Sequence, residues 1–102
     1  MSKTKLEIVA RAHRVLGLLA ADEVPTADMI DFAGDALDGV IDELEFVQGV
    51  SVPFTSAAVP DELFLPMGDL LAADIASHYG INGPTRSRAL TRVRAALALD
   101  DR

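Results

Sequence analysis

In residues 26 to 47, Ile30, Ala33, Leu37, Val40, Leu44 and Val47 recur three or four positions apart. At about 100° per residue they fall on one side of an α-helix, the spacing that lets a helix bury a stripe against a core. Asp28, Asp31, Asp35, Asp38, Asp42 and Glu45 repeat at the same intervals and lie nearly opposite. A segment with two such stripes has one good solution. It is a helix with its apolar side on other helices and its carboxylates turned to water or to a partner. Gly34 and Gly39 each cost about 1 kcal/mol relative to Ala, so packing must hold this helix together.

The same periodicity marks three more helices. The first is predicted over about 5–20, with Thr4 as N-cap and Glu7 completing a capping box. Its buried stripe is Leu6, Val9, His13, Leu16 and Ala20, and "DEVPTA" (22–27) connects it to the second. Gly49, Pro53 and Pro60 then punctuate residues 48–60, where Val50, Val52 and Phe54 alternate as in a short extended arm. In a lone monomer those three side chains are expected to have little to pack on. A third helix, from about 61 or 65 to 79, turns Met67, Leu70, Leu71 and Ile75 inward. Pro66 requires it to start or kink there, and Gly80 stops it. "INGPT" opens a fourth helix over about 85–99, buried through Ala89, Leu90, Val93, Ala96 and Leu97. The predicted fold is all-α, a small single four-helix domain with one irregular extended arm between helices 2 and 3.

Half the residues are apolar, but only four Phe and Tyr79 are aromatic, so Leu, Val, Ile and Ala must fill the core. A core of that kind gains from a partner subunit. With no cysteine, disulfides and Cys-based zinc sites are excluded. The start, "MSKTKLEIVARAHRV", has no signal-peptide apolar region, and no run approaches the roughly 20 apolar residues of a membrane span. A soluble protein made inside the cell is expected.

Net charge is −7, and its distribution says more than its sum. Lys and Arg are confined to residues 3–14 and 86–102, whereas residues 15–85 carry thirteen acids and no Lys or Arg. Such segregation suits either a solvated acidic face or separate patches that prepare head-to-tail contacts between copies and fend off a polyanion. Arg86, Arg88, Arg92 and Arg94 surround the apolar side of the fourth helix. They are scattered around it, and a field of −7 opposes duplex binding, which depends on neutralising several phosphates. Pairing with acids of another helix or another copy is the expectation.

Catalytic patterns are weak. A calcium loop needs oxygens converging on one ion, whereas acids strung along a helix diverge. Asp74 and His78 stand one turn apart, without the further ligands a metal needs or the G-x-S-x-G elbow of a hydrolase. His78 suits the cation favoured at a helix C-terminus, and His13 a core position. We therefore expect a non-enzymatic protein with no metal and no cofactor. Successive acids of the stripe rise about 5 Å along the axis, near the phosphate spacing of DNA. An acidic DNA mimic that inhibits a DNA-binding enzyme is thus an alternative.

The order of segments "KTKLEIVARAHRVLGLL", "LDGVIDELEFVQGV" and "VPDELFLPMGDLLAADIASHYGI" resembles the head-to-tail adaptor proteins of tailed bacteriophages and gene transfer agents. Leu6, Val9, Ala12, Leu16 and Gly17 match the family's first helix, and Leu37 and Leu44 its second. Pro60, Asp61, Glu62, Leu70, Leu71, Tyr79 and Gly80 match its proline-acid start and "Y-G" ending. The resemblance implies a virion structural protein in the neck, made in the host cytoplasm. It would form a ring of about twelve copies below the portal, extend the DNA channel and dock a tail or stopper protein. DNA would pass nearby without sequence-specific binding, and the arm would become ordered against another subunit or the portal.

Overall fold

The computed structural model describes residues 2–46, 49 and 52–100. Val47 and Val50, expected in the apolar stripe and in the arm, lie outside the described residues. The fold is all-α, with four helices and one very small sheet among the described residues.

Helix α1 (Lys5–Val15) opens with the expected capping box: the Thr4 hydroxyl accepts from Glu7 N–H, and the Glu7 carboxylate accepts from Thr4 N–H. It ends five residues before the sequence suggested. Gly17 takes φ +76°, and the N–H groups of Gly17 and Leu18 donate back to Arg14 and His13. That pair of bonds satisfies the last carbonyls and closes the helix. The buried face also differs. Ile8, Val9, Ala12 and His13 are fully buried, whereas Leu6 is 43 % exposed and Ala20 lies in solvent. With α1 wedged against two other helices, the burial follows those neighbours and not the evenly spaced stripe.

Helix α2 (Ala27–Phe46) follows, with the Thr26 hydroxyl accepting from Met29 N–H at its start. Ala33, Leu37, Val40 and Leu44 are buried as expected, joined by Gly34 and Ile41. The arm is less free than predicted. Val52 and Phe54 are half-buried against the chain's own core, so a lone copy already gives them a surface. Beyond them β2 (Val59–Pro60) pairs antiparallel with β1 (Ser2–Lys3), with Ser2 opposite Pro60 and Lys3 opposite Val59. Two-residue strands have no alternating pattern to read, so the pairing was invisible in the sequence.

Helix α3 (Phe64–Ile75) is entered through a 3-10 turn at Asp61–Leu63 and left through another at Ala76–Tyr79, which Gly80 ends at φ +67°. Pro66 does not start α3. It is the third helical residue, where its missing N–H would have had no intrahelical partner anyway. α3 touches all three other helices and buries Met67, Leu70, Leu71, Ala72 and Ile75 among them. α1 runs beside it in the same direction: Lys3 lies over the Phe64 ring and Arg11 crosses at Gly68. A Cβ at Gly68 would come 2.5 Å from Arg11 Cγ, so glycine is what admits that crossing. Helix α4 (Arg86–Asp100) returns antiparallel, with Arg86 beside Asp74 and Arg92 beside Asp69, and seats Ala89, Val93 and Leu97 in the core.

Candidate functional site

The acidic stripe lies where its spacing puts it. Asp28, Asp31, Asp35, Asp38, Asp42 and Glu45 are all exposed. Among the described residues, Asp38 alone of these six is engaged. Lys5 Nζ sits 2.9 Å from its carboxylate, and the Ser56 hydroxyl donates to the other oxygen. The Ser56 bond first, then Lys5, holds the Asp38 carboxyl below the usual aspartate range. The other five carboxylates have no ion pair or hydrogen bond among the described residues. They leave a concentrated negative field along one side of the domain.

The four arginines of α4 divide into two pairs. Arg86 reaches Glu43 on α2 and stands 3.7 Å from Asp74 on α3. Arg92 Nη1 lies 2.6 Å from Asp69, which also receives Arg11 at 3.7 Å. Asp69 is only 17 % exposed, so this α1–α3–α4 junction is the best shielded ion group. The Nε of Arg11 is buried there with no hydrogen-bond partner among the described residues. Arg88 and Arg94 are different. They flank Thr91 on the outer face, exposed and with no ion pair among the described residues. Sequence could group the four but could not separate them, because a pair depends on which helix lies opposite.

A second candidate surface was not anticipated. Leu6, Ala10, Val24, Pro25 and Phe64 line an open cleft of about 250 Å³ between α1, the α1–α2 connector and the start of α3. Arg14, Glu7 and Glu23 form its edge. Leu6 and Val24 stay 43 % and 73 % exposed, and at the end of α2 Phe46 is 80 % exposed.

Two histidines sit at the other end of α1 and α3. His13 is fully buried, with Nδ1 2.8 Å from the Val9 carbonyl and Nε2 2.8 Å from the Tyr79 hydroxyl. The carbonyl can only accept, so Nδ1 carries the proton, and in the neutral ring Nε2 accepts from Tyr79 O–H. Burial pushes the Tyr79 hydroxyl pKa up, which keeps it a donor. His78 stacks on Phe32 at 3.9 Å between centroids, and Asp74 faces Arg86 instead of His78. These groups are occupied with one another, in a structural clamp of aromatic rings. No group of three His, Cys, Asp or Glu side chains that could hold a metal occurs among the described residues, and no described helix is long and apolar enough to cross a membrane.

No family model, curated protein or solved structure matches this chain. Its chemistry must be read from its surfaces. They offer unpaired charge and exposed apolar area.

Proposed function

We propose that this chain is a non-enzymatic structural subunit, a head-to-tail adaptor of a phage-like particle that assembles into a ring below the portal. The observation that carries the reading is the presence, on one domain, of two unneutralised faces of opposite sign. Asp28, Asp31, Asp35, Asp42 and Glu45 lie along α2, and Arg88 and Arg94 on the outside of α4. A small domain that pairs Arg86, Arg92, Lys5 and Arg11 internally yet leaves these groups open is suited to contacts between chains. The segment order that resembles phage adaptors supplies the particular setting. Facing a channel, Asp28, Asp31 and Asp35 in the first half of α2 would repel packaged DNA and let it slide, while α4 met an acidic surface of the portal or of a tail protein.

The DNA-mimic alternative is weaker on one observation. Lys5 neutralises Asp38 in the middle of the carboxylate ladder, which interrupts an imitation of regularly spaced phosphates.

Changing Arg88 and Arg94 together to Glu tests the adaptor reading. The double variant should keep its helical circular dichroism, because neither side chain has an intramolecular partner among the described residues. It should be lost from purified particles made in a host that supplies the other structural proteins. Incorporation at the wild-type level would defeat the proposed role of α4.

A further inference from the structure

The acidic face of α2 ends in an aromatic ring. At about 100° per residue, Phe46 stands in line with Asp28, Asp35 and Asp42 on that face. It is 80 % exposed, so it does not fill the chain's own apolar cleft. Asp42 and Glu45 beside it have no cationic partner among the described residues.

The cleft on α1 has complementary properties. Its volume of about 250 Å³ exceeds the roughly 150 Å³ in which an apolar cavity holds a benzene ring. Leu6, Ala10, Val24, Pro25 and Phe64 give it an apolar lining. Of the charged groups on its edge, Glu7 is held by Thr4 and by Lys3 at 3.8 Å, and the Glu23 carboxylate accepts from Ala20 N–H. Arg14 donates only to the backbone carbonyls of Ala20 and Glu23. Its positive charge thus lacks a carboxylate partner among the described residues, while Phe46 is accompanied by two carboxylates that lack a cation.

We infer that this cleft receives Phe46 of a second copy of the chain, with Arg14 meeting the acids that accompany the ring. Each copy then donates one ring and offers one cleft. Repeated head to tail, such a contact is heterologous, and it closes into a ring when the rotation between copies allows. The inference deepens the adaptor reading and rests on it for its setting. The contact between copies is assigned to α2 and α1, and the outer arginines of α4 are left for a different partner.

The chain contains no cysteine, which makes the geometry directly testable. Differently tagged Glu45→Cys and Val24→Cys chains, both keeping Phe46, would be mixed under mild oxidation, with Glu45→Cys and Ser87→Cys as the control pair on the exposed side of α4. The first pair should cross-link about tenfold faster than the control, and Phe46→Ala should weaken self-association in the ultracentrifuge by about tenfold with unchanged circular dichroism. Equal cross-linking of the two pairs, self-association of Phe46→Ala at wild-type strength, or a wild type that stays monomeric at every concentration would each overturn the contact. Cross-linking without particle incorporation would leave the contact standing and remove the adaptor reading. Incorporation without cross-linking would do the reverse.

Discussion

Tyr79 O–H and His13 Nε2 meet at 2.8 Å across 66 positions of sequence, tying the last turn after α3 to the buried side of α1. The bond satisfies a ring nitrogen that has no access to water. Removing the hydroxyl with Tyr79→Phe leaves that nitrogen unpaired and should cost about 1–3 kcal/mol in denaturant unfolding. Because burial raises the Tyr79 pKa above 10.0, its contribution is complete below pH 10 and declines as pH rises through the folded value. The wild type should therefore lose more stability than Tyr79→Phe in strong alkali. Parallel losses would show that the hydroxyl contributes nothing.

Asp38 supplies a test at the acid end. Its folded pKa is lowered by Ser56 and Lys5 from 3.8, so its stabilisation is present above that value and disappears as pH falls through the folded one. The pair is exposed and its effect correspondingly screened, at about 0–1 kcal/mol. Unfolding midpoints of wild type and Asp38→Asn should differ slightly at pH 7 and converge as pH falls below 3.8 and through the lowered folded value. A gap that stays constant to acid pH would show that the charge is not its source.

Gly39 and Gly68, both in helices, should respond in opposite directions to the same substitution. Nothing lies within 4 Å of a Cβ at Gly39, so Gly39→Ala should stabilise by up to about 1 kcal/mol through helix propensity. At Gly68 the added methyl collides with Arg11 Cγ and displaces that side chain from Asp69. Gly68→Ala should therefore destabilise by about 1–3 kcal/mol, and Arg11→Ala in the same chain should recover part of the loss. Strict additivity of the two changes would argue against the collision.

Arg92 and Arg88 lie one turn apart on α4 but should behave differently as glutamates. Arg92→Glu places a negative charge against the shielded Asp69 and should lower the thermal midpoint by several degrees. Arg88→Glu meets no partner among the described residues and should leave the midpoint unchanged. Equal shifts would mean that the division of the four arginines into inner and outer pairs is wrong.

Helix identity, the acidic face of α2 and the capping box at Thr4 were legible in the sequence, because each depends on residues within a turn or two of one another. Period and side-chain chemistry determine them locally. The end of α1 was missed because the left-handed geometry of Gly17 is one of several open to glycine, and the backbone bonds around it select that one. Likewise the arm looked unsupported, since nothing local announces that Val52 and Phe54 reach the core or that Ser56 reaches Asp38.

The sequence by itself determined four amphipathic helices and a separation of charge along the chain. Only the tertiary structure decided which charges remain free. Folding brings basic α1 and α4 against acidic α2 and α3, so that among the described residues Lys5, Arg11, Arg86 and Arg92 pair with carboxylates while Arg88, Arg94 and most of the α2 stripe have no partner of opposite charge. The cleft beneath Val24 and the His13–Tyr79 bond have the same origin. Periodicity specifies a face within one helix, but an ion pair, a cleft or a buried hydrogen bond exists only once a second element fixes the distance across it.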